Sequence, residues 1–210
     1  VSGGYVGVDV FFVISGFLIT SILLKDFQAG TFTISGFYER RCRRILPPIL
    51  FMTVVITPVA LYTLLTSNAY INFGRSMAAM ATFWTNIFFY RRTGYFDTSA
   101  EQMPLLHTWS LSVEEQFYLI FPLVLLLVYK KARKHFFVFI IFCTGLSFVA
   151  SVVFIHKDQS AVFYLLHFRA WELLVGALIA ILPERKFTSV SLNIFSVLGL
   201  LTILLPVFLY

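Results

Sequence analysis

The sequence predicts an all-α fold: a polytopic integral membrane helical bundle of about six spans, plus one re-entrant or interfacial segment. Three observations predict it. Hydrophobic residues make up 59% of the 210 and charged residues only 12%, roughly half the charged share of soluble domains. The mean hydropathy is +0.87. The basic residues sit in short clusters between apolar runs, the pattern of the positive-inside rule, so the net charge of +6 does not point to nucleic acid.

Six segments are long and apolar enough to span, at 6–24, 45–65, 108–129, 136–155, 166–182 and 190–210. The loop 25–44 carries Lys25, Arg40, Arg41, Arg43 and Arg44, the third span is followed by 130–134 (KKARK), and the fifth by 184–186 (ERK). With all three on the cytoplasmic side, the first, third and fifth spans run inward and the others return. The stretch 76–90 (SMAAMATFWTNIFFY) is apolar but short, and a crossing there would place 130–134 outside. It is read as interfacial or re-entrant on the outer side. Pro47 and Pro48 are expected in the first turn of the second span, where a missing N–H costs little. Pro58 and Pro122 are expected to kink their spans.

Cys42 and Cys143 suggest no disulfide framework. His107, His135, His156 and His167 are scattered without the spacing of metal ligands, so no metal is expected.

The stretch PLLHTWSLSVEEQFY (104–118) is the most informative. At 100° per residue, His107, Leu111, Glu114 and Tyr118 share one helix face, with Glu115 on a neighbouring one. An ionisable group at membrane depth must face a protein interior or water, which makes His107 and Glu114 functional candidates. Asp9 opens the first span as a further candidate, and Ser15-Gly16 is a small pair that lets another helix approach. Arg40, Arg41, Arg43 and Arg44 are all arginine with no lysine. That choice suits a phosphate-bearing ligand, although topology alone would explain the charge. Arg169 and Glu172 stand one turn apart at the head of the fifth span and would form an ion pair, structural or supporting a site.

A histidine near carboxylates can take a proton from a hydroxyl or carry an acyl group. The rivals are a transporter or flippase for a lipid-linked sugar, which would need midplane charges and broken helices, and a membrane scaffold, which would need no inward carboxylates.

Four blocks, GGYVGVDVFFVISGFLIT, FYERRCRRILPP, PLLHTWSLSVEEQFYLIFP and FRAWELLVGALIA, resemble in order the acyltransferase-3 family of membrane O-acyltransferases. The likeness is greatest to its bacterial branch that O-acetylates lipopolysaccharide or peptidoglycan sugars. The resemblance implies a multi-pass protein of the bacterial cytoplasmic membrane. It implies acyl-CoA, usually acetyl-CoA, as cytoplasmic donor and a hydroxyl of a cell-surface glycan as acceptor. Arg40, Arg41, Arg43 and Arg44 would meet the coenzyme A phosphates. Glu114 and His107 would belong to the reaction chamber with Asp9, and Trp109, Ser110, Arg169 and Glu172 would bind substrate. The family's first helix, with an arginine and, eleven positions on, the histidine taken as catalytic, would precede Val1. Residues 1–210 are therefore expected to be the central part of one domain that continues at both ends, with an extracytoplasmic esterase-like domain often following.

Overall fold

The computed structural model describes residues 6–63, 67–93, 103–131, 135–183 and 196–202, and these described residues hold helices and turns with no strand. In chain order the helices are α1 (Val6–Gln28), α2 (Ile34–Thr63), α3 (Ser67–Ala81), α4 (Thr85–Thr93), α5 (Trp109–Lys131), α6 (Phe136–Phe154), α7 (Gln159–Tyr164) and α8 (Leu166–Ile181), with a 3-10 turn at Leu106–Thr108 before α5. Five stretches are long and apolar enough to cross a membrane: Val6–Gln28, Ile34–Thr63, Leu106–Tyr129, Phe136–Phe154 and Gln159–Ile181. The protein is a multi-pass membrane helical bundle. Of the expected sixth span at 190–210, only 196–202 lies within the described residues, and it is helical.

Large apolar side chains lie bare on the outside of the bundle, among them Phe51 at 72% exposure and Phe142 at 65%. Such a surface is stable against lipid, not water.

α1 and α8 touch backbone to backbone. A Cβ on Gly16 would lie 1.8 Å from the Leu173 carbonyl oxygen, and one on Gly176 would lie 1.9 Å from that of Val13. The small residue at 16 thus does admit a neighbouring helix, and α8 is that neighbour. On the other flank of α8, the Ser147 hydroxyl of α6 donates to the His167 carbonyl (2.8 Å) and accepts from the Trp171 N–H (3.0 Å). It thereby ties into a single turn of the α8 ladder.

Ring contacts define the two ends of the bundle. Phe27 meets Phe32 at 4.7 Å and Tyr129 at 5.2 Å, so the end of α1, the start of α2 and the end of α5 gather together. Phe12 meets Trp109 at 6.3 Å, and Arg169 meets Asp9, so the starts of α1, α5 and α8 gather at the opposite end.

One expectation is corrected. The segment 25–44 is not a loop throughout: α2 begins at Ile34, so all four arginines are helical and Pro47 and Pro48 lie in mid-helix. Nothing from Glu39 to Leu46 breaks a helix, and hydropathy alone cannot place a start that precedes the apolar run. The stretch 76–90 is split between α3 and α4 by a left-handed Phe83 (φ 56°). There Trp84 N–H donates to the Ala79 carbonyl (2.7 Å) and Phe83 N–H to that of Met80 (3.1 Å), closing α3 as a left-handed C-cap does. Neither half is long enough to cross.

The start of α4 is keyed into the bundle by buried polar contacts. Thr85 shares a hydrogen bond with Ser112 (2.6 Å), and its hydroxyl donates to the Thr108 carbonyl (2.9 Å). Asn86 donates to Gln116 (3.2 Å) and to the Tyr164 carbonyl (3.2 Å).

Candidate active site

Glu114 is the centre of the first polar cluster. It sits on α5 at 7% exposure. Its Oε1 accepts from the Ser15 hydroxyl of α1 and from the Tyr118 hydroxyl one turn further along α5, each at 2.5 Å. Two hydroxyl donors on one oxygen satisfy a buried carboxylate that lipid could not. Above Tyr118, the Arg41 guanidinium from α2 lies 4.3 Å from the ring centroid.

These groups wall a cleft of about 360 Å³ between α1, α2 and α5, which Arg44 and Glu115 also line. A second, mostly apolar cavity of about 420 Å³ opens between α2, α5 and the α3–α4 turn, with Phe83, Trp84 and Cys42 in its wall. Arg41, Glu115 and Tyr118 line both. A cleft that carries two arginines and two carboxyl groups among apolar walls therefore adjoins a more uniformly apolar cavity.

The four arginines divide by helical phase. Arg40 pairs with Asp26 (2.8 Å) and Arg43 with Glu39 (2.7 Å), all of them well exposed except Asp26. Arg41 and Arg44 face the cleft, and among the described residues neither has a carboxylate within ion-pair distance.

The second cluster joins α1 to α8. Arg169 donates from one nitrogen to both Asp9 and Glu172, each at 2.7 Å, and from Nε to the Phe163 carbonyl at 3.2 Å. Its guanidinium lies 5.1 Å from the Phe163 ring and 5.9 Å from that of Trp109. Two carboxyl groups share one guanidinium, and among the described residues the second oxygen of Glu172, a residue 1% exposed, is buried without a hydrogen-bond partner. That oxygen is an acceptor waiting for a donor. Asp9 and Ser15 are six residues apart on α1, a rise of about 9 Å, so the two clusters are neighbours along one helix.

The structure brings together Glu114 with Arg41 and Arg44, and Asp9 with Arg169 and Glu172. His107 is placed elsewhere. Residues 106–108 form a 3-10 turn, which advances about 120° per residue, so the shared face begins at Leu111 and the imidazole is exposed outside the Glu114 cleft. Ser110 is spent locally, donating to the His107 carbonyl (3.4 Å). Trp109 is buried against Phe12, Phe163 (4.5 Å) and Tyr164 (5.5 Å), as a wall beneath Arg169. Sequence reasoning missed Ser15, which reads only as a small packing residue, and the part of Glu115, which stands off the Glu114 face yet looks toward Arg41 and Arg44. Tyr118 was legible from its i+4 spacing to Glu114. Among the described residues no three His, Cys, Asp or Glu side chains gather as metal ligands would.

The family model described as an acyltransferase domain matches residues 2–210. The chain belongs to the acyltransferase-3 family. It is 36% identical over 205 residues to a Haemophilus influenzae protein named only as uncharacterized, covering 94% of this chain and 83% of that one. It is 35% identical over 185 residues to the O-acetyltransferase OatA of Staphylococcus aureus, covering 85% of this chain and 30% of OatA. The chain thus spans less than a third of that longer relative. No solved structure gives a significant match. Membership makes the chain part of an acyltransferase.

Proposed function

We propose that this chain forms the central part of a bacterial membrane O-acyltransferase that moves an acyl group, acetyl by preference, from acyl-CoA at the cytoplasmic face to a hydroxyl of a cell-surface polysaccharide. One observation carries the reading: the buried carboxylate of Glu114 shares a cleft with Arg41 and Arg44, which among the described residues have no carboxylate within ion-pair distance. Arg41 and Arg44 offer guanidinium forks to the donor's phosphates, and the adjoining apolar cavity suits the donor's thioester arm. Glu114, held by Ser15 and Tyr118, would accept the hydroxyl proton or orient a proton-accepting group while the acceptor oxygen attacks the thioester carbonyl, the C–S bond breaks and coenzyme A leaves as the thiol with that proton. Asp9, Arg169 and Glu172 hold α1 against α8, and the unpartnered Glu172 oxygen suits an acceptor hydroxyl. The name of the relative OatA, an O-acetyltransferase, supports acetyl as the group transferred.

The test uses the full-length protein in sealed proteoliposomes, with labelled acetyl-CoA supplied on one side and a soluble glycan on the other. Label should enter the glycan as an ester only when donor and acceptor stand on opposite sides. Glycan labelling with both on one side, or none in any arrangement, would refute the reading.

A further inference from the structure

A further cleft of about 950 Å³, which shares its Trp84 wall with the apolar cavity, lies between α3 and α4, and Arg75, Arg91, Arg92 and Asn72 also line it. Arg92 also lines a smaller cavity with Met103 and Pro104, just ahead of α5, so the cleft lies at the Asp9 end of the bundle. Among the described residues, none of the three arginines has a carboxylate within ion-pair distance. The Arg92 guanidinium instead rests on the Phe88 ring at 4.6 Å. Burial first, and then the neighbouring Arg75 charge, hold the Arg92 pKa below its ordinary value.

Topology does not account for these charges. Neither α3 nor α4 is long enough to cross, and the cleft lies at the end opposite Lys25 and the Arg40–Asp26 pair. A basic cluster at both ends of a bundle cannot be explained at each by the positive-inside rule. The neighbouring surface is that of a headgroup layer: Trp84 is 56% exposed and Ile71 50% beside the arginines. A soluble polyanion would have no use for that apolar flank. Three arginine forks with no lysine favour phosphate.

We propose that the Arg75–Arg91–Arg92 cleft is a binding site for a phosphate-bearing lipid headgroup, whose acyl or isoprenoid chain lies along Ile71 and Trp84. Two sources share this chemistry: a bulk anionic phospholipid and an isoprenoid phosphate of the kind that carries a glycan.

The full-length protein is placed in nanodiscs of phosphatidylcholine doped equally with phosphatidylglycerol and a polyprenyl phosphate, and the lipid retained after extraction is counted by native mass spectrometry. Phosphate-anionic lipids should be retained over phosphatidylcholine. The combined Arg75→Gln, Arg91→Gln and Arg92→Gln variant should retain at least tenfold less, and Lys157→Gln, at the same end, no less than wild type. Should the triple variant fail to fold, Arg91→Gln alone, at an exposed position, should lower retention severalfold. Preference for the polyprenyl phosphate assigns the site to a lipid-linked glycan, and preference for phosphatidylglycerol to the bilayer. Equal retention of phosphatidylcholine, or retention that no arginine variant changes, overturns the proposal. The readout is bound lipid, so it stands apart from any failure of the acyl-transfer reading.

Discussion

The Arg41 guanidinium lies 4.3 Å from the centre of the Tyr118 ring, and the hydroxyl of that same ring donates to Glu114. One tyrosine thus faces the cation with its π-surface and the carboxylate with its O–H, joining α2 to the α1–α5 pair. Tyr118→Phe keeps the ring under Arg41 and removes one donor from Glu114. Acyl transfer in the full-length enzyme should fall about 10-fold, with stability lowered by about 1–2 kcal/mol for the lost hydrogen bond. Tyr118→Leu should in addition raise the KM for acyl-CoA, because it frees Arg41. Identical kinetics in the two variants would remove the ring from the account.

The two arginine pairs should separate cleanly. Arg41→Gln with Arg44→Gln should weaken acyl-CoA binding by roughly 10²-fold, from charge-assisted contacts worth about 1.5–3 kcal/mol each. Arg40→Gln with Arg43→Gln removes exposed surface pairs worth about 0–1 kcal/mol and should leave donor affinity within about threefold. Calorimetry on the purified enzyme reads both, and equal losses would mean that helical phase does not divide the cluster.

Gly16→Ala and Gly176→Ala should each disrupt the α1–α8 crossing, since the added carbon would lie under 2 Å from backbone oxygen that cannot rotate away. Overpacking of this kind costs about 1–3 kcal/mol or more. The thermal midpoint of the detergent-solubilised protein should drop by several degrees for each. Gly7→Ala, with nothing within 4 Å, is the neutral comparison.

Asp158 should give the protein an acid-sensitive element. Its carboxylate accepts from the Ala161 N–H at the start of α7 (2.8 Å) and from the Tyr90 hydroxyl (2.8 Å). These bonds, the backbone one foremost, hold its pKa below the usual aspartate value. A depressed folded pKa contributes stability that is present above the unfolded value of about 3.9 and lost as pH falls through the folded one. Thermal midpoints followed from pH 6 down to pH 3 should decline less steeply for Asp158→Asn, which can still cap α7, than for wild type. Parallel curves would discount the contact.

Much of the fold was legible in the sequence because lipid imposes a simple rule on composition. Five spans lie close to where hydropathy places them, and Gly16 announces a close helix contact. The start of α2 was not legible, since Phe37 to Leu46 is a good helix former but not apolar, and the signal used to find spans is blind to it. That single shift moves Arg41 and Arg44 from a loop to the wall beside Glu114. The pairing of Arg169 with Glu172 follows from i, i+3 spacing, whereas Asp9, 160 residues away, joins them only through the α1–α8 crossing. His107 misled for a local reason: a helical wheel assumes that the α-helix has already begun.

The central claim is that Glu114 serves the transfer step within the cleft that receives the donor, and Glu114→Gln tests it most directly. The change preserves shape and leaves oxygen for Ser15 and Tyr118 to bond, and it makes the span more apolar, so insertion should not suffer. In the full-length enzyme kcat should fall by roughly 10²-fold or more, the scale for losing an acid–base or electrostatic partner, while the acyl-CoA affinity set by Arg41 and Arg44 stays within about threefold. A Glu114→Gln enzyme that folds normally and turns over at the wild-type rate would contradict the account.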